Sequence, residues 1–448
     1  MTERELLTAG LRELGIAECP SAADNLLRYS EILREKNKVM NLTAITDPTE
    51  IVTRHFLDCA ALAPYMPQDG RVLDVGTGAG FPGMPLAMLC PQTEFVLLDA
   101  LREMAGGGEQ HQYSVTYGSE NLRRCIAEKY SPIHGYEIDP ETQVVVTCGG
   151  TEAMMAAMMT VCNPGDKVIV FSPFYENYGA DAILSGADPI YVPLVPPDFH
   201  YDSEALERAF QAGAKALILC NPSNPCGKVF TMEEMEEIAE LAKRYDAFVI
   251  TDEVYEYIIY GENRHISMAA LPGMYERTIT CSSLSKTYSM TGWRLGYLIG
   301  PEHVIEAAKK VHDFLTVGAA APLQEAAVTG LKFGPAYYQW LKDLYTEKRD
   351  YLCGRLEQMG LSHTTPQGSY FVLVDISGFL EKPEFTGWTD LEFCEWMIKN
   401  YGVAAVPGSS FFKEPVNNYI RLHFSRGKET LEAAADRLEK MAKDYGFC

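Results

Sequence analysis

The stretch TITCSSLSKTYSMTGWRLGYLIG (Thr278–Gly300) enters as an apolar β-run, turns through hydroxyl-bearing residues and leaves as a second apolar run. Lys286 lies in the turn among Ser282, Ser283, Ser285 and Thr287, without the acidic or long polar neighbours of an ordinary surface lysine. A lysine amine must be partly desolvated to act as a nucleophile, and this setting favours that. Working outward, AFVITDEVYEYIIY (Ala247–Tyr260) is an apolar strand running into Asp252, with Tyr255 three residues on. Before it, ALILCNPSNPCGKVF (Ala216–Phe230) is a strand that ends in a proline-stiffened turn carrying Asn224. Earlier still, VVVTCGGTEAM (Val144–Met154) is a β-run that turns through Gly149, Gly150 and Thr151 into a helix. Strands alternating with helical patterns predict an α/β fold with a mostly parallel sheet, followed by a more mixed C-terminal region.

Each motif has a chemical and a structural reading. A carboxylate at the tip of a parallel strand stands where such folds contact ligands, and Asp252 there also fits a helix N-cap. The backbone N–H groups of a Gly-Gly-Thr turn opening a helix suit an anion, and the same turn serves as a plain strand-to-helix connection. Tyr175, in FSPFYENY (Phe171–Tyr178), is either a flat face for a ring or part of the core. Arg421, alone among apolar residues in NNYIRLHFS (Asn417–Ser425), can grip a carboxylate with two parallel bonds. Its structural alternative is an arginine on an edge strand.

Taken in order over Gln112–Ser425, these motifs, above all the SxSKxxxxxGxR run from Ser283 to Arg294, resemble the class I/II aminotransferases of fold type I. They are similar to the broad aspartate, aromatic and kynurenine-type enzymes. The resemblance implies pyridoxal 5'-phosphate as cofactor, with Lys286 as its Schiff-base lysine and Asp252 as partner of the ring nitrogen. It further implies Asn224 and Tyr255 at the phenolic oxygen and Tyr175 over the ring. Gly149, Gly150, Thr151, Ser283 and Arg294 would hold the phosphate. Arg421, with Asn224, would anchor the substrate α-carboxylate. Tyr113, in HQYSVTYG, matches the family tyrosine that reaches the partner subunit's cofactor phosphate, which implies a homodimer. Cys226 stands where the family's NPSNPTG form has threonine. The implied activity is double-displacement transfer of an amino group between an L-amino acid and a 2-oxo acid. A pyridoxal-phosphate lyase, or a cofactor-binding but inactive fusion, would keep the same lysine and aspartate. The amino acid is not readable, because scope in such enzymes follows pocket shape.

The first 103 residues read differently. NLLRYSEILREKNK (Asn25–Lys38) is amphipathic, and RVLDVG (Arg71–Gly76), TGAGFPG (Thr77–Gly83) and FVLLD, ending on Asp99, give strand, glycine-rich turn, helix, strand and acidic tip. That order is the front of a Rossmann-like nucleotide unit. With NKVMNLTAITDPTEIVTRHFLD (Asn37–Asp58) ahead of it, the segment resembles the N-terminal half of the bacterial 16S rRNA guanine-N7 methyltransferases. The resemblance implies S-adenosylmethionine contacts at Gly76, Gly78, Gly80 and Asp99. The pattern stops at LLDALRE (Leu97–Glu103), short of a complete methyltransferase sheet, so a truncated fragment is expected. It carries 15 acidic and 9 basic residues, a poor balance for gripping rRNA. The glycine triplet Gly106–Gly108 serves equally as a flexible joint or as the join of two reading frames. The expected domains are 1–103, a cofactor-binding large domain 104–315 and a small α+β domain 316–448. In the resembled family, the stretch ahead of the QY pair builds an arm and one pocket wall, and here the methyltransferase-like segment stands in that place.

Bulk composition narrows the classes. With 448 residues the chain exceeds one hydrophobic core, and a net charge of −23 disfavours nucleic acid in the absence of a basic cluster. The twelve cysteines form no CxxC pair, so no metal site is expected. The charged start and the lack of a long apolar run are read as a cytoplasmic protein, away from membranes.

Overall fold

The computed structural model describes residues 2–16, 20–40, 43, 45–67, 70–75, 80–90, 93–98 and 114–448. Two compact units emerge: 1–113 with 288–290 and 320–330, and the remainder of the chain.

In the first unit, two helices, Glu3–Glu13 and Pro20–Met40, precede a helical segment from Pro48 to Ala60. Thr2 caps the first helix in a capping box with Glu5, and Asp47 caps the third by accepting from the Thr49 and Glu50 N–H groups. Leu7, Leu11, Leu26, Leu33, Ile51, Val52 and Phe56 form their common core. Strands β1 (Gly70–Val75) and β2 (Thr93–Leu98) pair in parallel, with the helix Gly83–Leu89 between them. This is the expected strand–turn–helix–strand order, and among the described residues the sheet has these two strands alone. Gly80 takes φ +92°, where an added Cβ would lie 2.6 Å from the Tyr29 hydroxyl, so the turn requires glycine. Gly76, Gly78, Asp99, Gly106–Gly108 and Tyr113 lie outside the described residues.

The second unit holds an eight-stranded sheet. Its strands are β3 (Val144–Thr147), β4 (Lys167–Ser172), β5 (Asp188–Val195), β6 (His200–Tyr201), β7 (Ala214–Cys220), β8 (Phe248–Asp252), β9 (Thr278–Ser283) and β10 (Gly296–Ile299). The spatial order is β3-β10-β9-β8-β7-β4-β5-β6. Strands β4, β5, β7, β8 and β9 run parallel, and β10 is inserted antiparallel between β3 and β9. The central strands read as continuous apolar runs because helices cover both faces. The helix Gly150–Val161 is apolar nearly all round, and Ala153, Met154, Ala156, Ala157 and Met158 are buried. The helix Met232–Arg244 starts with a Thr231/Glu234 capping box and ends in Lys243 and Arg244, matching the helix dipole at both ends.

A three-stranded antiparallel sheet follows, with β11 (Phe371–Asp375), β12 (Val406–Pro407) and β13 (Tyr419–His423) in the order β11-β13-β12. Helices Pro335–Gln358, Asp390–Tyr401 and Lys428–Asp444 accompany it, and Leu352, Leu356, Phe393, Met397, Leu431 and Leu438 share one core cluster with Val372 and Ile420. The large mostly parallel sheet and the smaller α+β region match the expected architecture.

Candidate active site

Strands β3, β7, β8 and β9 all deliver their C-terminal ends to one edge of the sheet, where a ligand has backbone ends rather than strand faces to meet. A cavity of about 350 Å³ opens there, within the size range of small-molecule sites. Gly150, Thr151, Tyr175, Asn224, Asp252, Tyr255, Ser283, Lys286, Arg294 and Arg421 all line it. Gly149 adjoins it, directly ahead of the helix Gly150–Val161.

The β3 turn is fixed by close backbone approach. Gly149 takes φ +90°, and a Cβ there would lie 2.4 Å from Arg294 Nη2. Gly296, paired with both Thr147 and Ser283, leaves still less room: its Cβ would stand 2.3 Å from the Gly149 carbonyl carbon and 2.6 Å from the Gly150 nitrogen. The contacts are with backbone, so no side-chain rotation relieves them. Gly296→Ala is therefore expected to cost about 3 kcal/mol and to displace the Gly149–Thr151 turn. Urea unfolding together with cofactor titration checks both effects.

Behind this turn, Glu152 accepts from the Cys148 N–H and the Thr316 hydroxyl and pairs with His312 at 2.6 Å. Burial alone would raise the Glu152 pKa, but these partners outweigh it and hold the carboxyl below its ordinary value. The C-terminal end of the helix Glu302–Thr316 is thereby tied to the β3 turn.

At the tip of β8, the Asp252 carboxyl is 8% exposed and accepts from the Tyr178 hydroxyl at 2.6 Å. Burial raises its pKa, opposed by the Tyr178 and Val254 hydrogen bonds and by the charge of Lys286. Neighbouring Glu253 accepts from Thr251 and pairs with His265 at 2.7 Å, which fixes the end of the strand. A helix N-cap would keep its carboxylate on local N–H groups, whereas this one turns to a tyrosine of another element, and the local contact from the Val254 N–H is a long one of 3.4 Å.

Lys286 is half-buried, with Nζ 5.7 Å from the ring centroids of both Tyr255 and Tyr370. Those two rings meet edge to face at 5.2 Å. Burial, and then Tyr370, push the Tyr255 phenol well above its ordinary pKa, so it is a hydroxyl donor at neutral pH. Ser283, on β9, and Ser285 complete the turn around the lysine, and the Ser285 N–H reaches the Ser283 hydroxyl at 3.3 Å. Arg294, at φ +53°, is exposed at the cavity and donates to the Thr291 carbonyl.

Arg421 lies on β13, between Leu373 of β11 and Val406 of β12. It is thus on a central strand, which corrects the edge-strand alternative. Its guanidinium is sandwiched between the Phe371 and Phe411 rings, at 4.2 and 4.3 Å, and Nη1 donates to Asn224 Oδ1 at 2.7 Å. The sandwich holds the planar group in one orientation. Burial lowers its pKa somewhat, opposed by Tyr255 and Glu176.

Several cavity residues escaped the motifs. Tyr178 stands one helical turn after Tyr175 in the same FYENY run, where its aromatic character reads as core. Asp181 follows one turn later. Phe371, Phe411 and Tyr370 reach the site only through the packing of β11 and the loop before β13, which no local pattern announces.

The sequence model of aminotransferase class I and II matches residues 91–438. The chain belongs to the class I and II aminotransferases. Human kynurenine–oxoglutarate transaminase 1 is 34% identical over 395 residues, covering 82% of this chain and 92% of that protein. The methionine aminotransferase of Escherichia coli K12 is 36% identical, over 74% of this chain and 84% of its own length. The solved N-succinyldiaminopimelate aminotransferase of Mycobacterium tuberculosis superposes with a TM-score of 0.71 at 34% identity, covering 86% of this chain and 96% of that one. These shares exceed what residues 104–448 supply, so the similarity extends upstream of residue 104. The model of rRNA small subunit methyltransferase G matches residues 22–104, overlapping the aminotransferase match. This aminotransferase therefore carries a methyltransferase-like N-terminal segment.

Members of the family use pyridoxal phosphate. The cavity fits that group on its own evidence: one lysine, a buried carboxyl at a strand tip, and a helix N-terminus flanked by Ser283 and Arg294. Glycines stand where a Cβ would fill the space beside that helix end.

Proposed function

We propose that this aminotransferase accepts an L-α-amino acid and a 2-oxo acid in turn at one cavity between β13 and the carboxyl ends of the large sheet. The observation that carries the reading is the convergence of Lys286, Asp252, Asn224 and Arg421 on one cavity from four separate elements. The named relatives act on kynurenine, methionine and N-succinyldiaminopimelate, which differ in side chain. What such substrates share is the α-amino acid head, and Arg421 suits its carboxylate.

The backbone N–H groups of Gly150 and Thr151, beside Gly149, together with Ser283 and Arg294, would hold the phosphate. Asp252, oriented by Tyr178, would face the ring nitrogen, and Tyr175 would cover the ring. Because Asn224 Oδ1 already accepts from Arg421, its Nδ2 is the end left to donate, alongside the Tyr255 hydroxyl, to the phenolic oxygen. Bound there, pyridoxal phosphate supplies a ring that takes up the electron pair released at the substrate Cα. Arg421 would fix the α-carboxylate by two parallel bonds, which sets the direction of the Cα–H bond. Lys286 would first hold the cofactor covalently, then take the Cα proton and return it as an acid. Water would then release the 2-oxo acid while the amino group stays with the cofactor, and a second 2-oxo acid would take that group up by the reverse steps.

The organisation that goes with this reading is a 1–103 segment, a cofactor-binding domain 104–315 and a small domain 316–448. A homodimer and a cytoplasmic setting belong to the same proposal, and light scattering tests the first. Among the described residues no helix is long and apolar enough to cross a membrane.

The test is the visible absorbance of the purified protein. The expected protein is yellow, bleaches with an amino acid and regains its band with a 2-oxo acid. A band that bleaches but never returns, with ammonia or pyruvate released, would point to a lyase instead. Arg421→Ala is expected to keep the band yet raise KM for the amino acid about 100-fold, roughly 3 kcal/mol of lost carboxylate binding. Arg421→Lys is expected to restore only part of it, because a point charge cannot make the paired bonds.

A further inference from the structure

The helix Asn177–Leu184 starts just after Tyr175 and carries Tyr178 and Asp181 one turn apart, on one face. Tyr178 is bonded to Asp252. Asp181 lines the same cavity, is 4% exposed, and its Oδ2 has no hydrogen-bond partner among the described residues. A carboxylate buried without a donor is unfavourable, so the neutral acid is the preferred form.

The groups acting on it come from several elements. Asp252 faces it from β8, and Asp181 in turn acts on Cys281 of β9 and on Tyr175 of its own segment. Lys286 and Arg421 line the shared cavity but are not among the groups that shift Asp181. Burial, and then the Asp252 charge, push the Asp181 carboxyl up to about 7. It therefore changes charge in the range where the enzyme is expected to work.

We infer that Asp181 is a positioning residue for the cofactor ring, acting through Asp252: it holds a proton in the empty cavity and releases it to solvent when a cationic ring nitrogen lies against Asp252. This rests on the reading that Asp252 meets that nitrogen. A positive ring beside Asp252 offsets the like-charge repulsion that favours the Asp181 proton. By reciprocity, loss of that proton tightens ring binding by the same factor by which ring binding favours its loss. The sign follows. Below the Asp181 pKa the residue is neutral and equivalent to asparagine, and above it an additional negative charge strengthens the pull on a cationic ring.

The experiment titrates the full-length chain, stripped of cofactor, with pyridoxal phosphate from about pH 6 to about pH 8, for wild type, Asp181→Asn and Asp181→Glu. The ratio of wild-type to Asp181→Asn affinity is expected to rise about fivefold across that range, as a fall of about one unit in the Asp181 pKa on ring binding requires. Asp181→Glu is expected to restore the rise. With a cofactor analogue carrying carbon in place of the ring nitrogen, the ratio is expected to stay flat. Superimposable profiles for wild type and Asp181→Asn, or a rise that persists with the carbon analogue, overturn the inference. Should Asp181→Asn not fold, the infrared carboxylic-acid band of the wild-type chain decides: it is expected to shrink on cofactor binding near neutral pH, and an unchanged band overturns the inference. Failure of the wild type to bind pyridoxal phosphate at any pH is a different result, and it removes the cofactor reading itself.

Discussion

Lys286→Ala lowers steady-state transamination by about ten-thousand-fold, the upper range for removal of a positioned proton-transfer group. Among the described residues Lys286 is the one lysine lining the cavity, so no neighbouring amine stands ready to replace it. Its Nζ lies beside the rings of Tyr255 and Tyr370, a partly dry setting that favours a reactive amine. The variant is expected to bind pyridoxal phosphate still, through the Gly149–Thr151 turn, Ser283, Arg294 and Asp252, but without a covalent bond. Single-turnover kinetics and the absorbance of the loaded variant check both parts. Activity within tenfold of wild type would assign the proton transfer elsewhere.

Asp252→Asn is the second large effect. The amide keeps the shape of the carboxylate and can still accept from the Tyr178 hydroxyl, but it brings no charge to the ring nitrogen. Stabilisation of charge that develops during reaction is expected to fall, with kcat lowered about 10²- to 10³-fold. KM is expected to change much less, since Arg421 and Asn224 remain paired. Asp252→Glu should recover part of kcat, limited by the tight burial at the strand tip. A variant that loses KM and kcat together, or that unfolds, would place Asp252 in a structural role.

The sequence announces residues that sit in short contiguous motifs at strand ends. Lys286, Asp252, Asn224 and Gly149–Thr151 were each legible because a strand, a tight turn and a chemically unusual residue adjoin in the chain. Arg421 was legible as a lone charge in an apolar strand, whereas its placement on the central strand of three required the packing of β11 and β12 beside it. Tyr178 and Asp181 stayed hidden for a physical reason. The YENYGAD run has no local pattern that marks them, and only the folded chain brings Tyr178 onto Asp252 at the tip of β8 and Asp181 into the same cavity. The Phe371 and Phe411 sandwich likewise depends on two elements forty residues apart in the chain coming together around one guanidinium. The order β3-β10-β9-β8-β7-β4-β5-β6 was not legible either, because strand order follows from how crossovers wind, and the apolar runs look alike. In the N-terminal segment the strand, turn, helix, strand order emerged as read, and Gly80 has the backbone angle that demands glycine.

The most direct test of the central claim is borohydride reduction of the pyridoxal-phosphate-loaded full-length protein, followed by peptide mapping by mass spectrometry. The account predicts a phosphopyridoxyl group on Lys286, within the tryptic peptide that spans the SSLSK turn, and its absence when an amino acid substrate is added first. A label on another lysine, or no label on a protein that binds the cofactor, would contradict it.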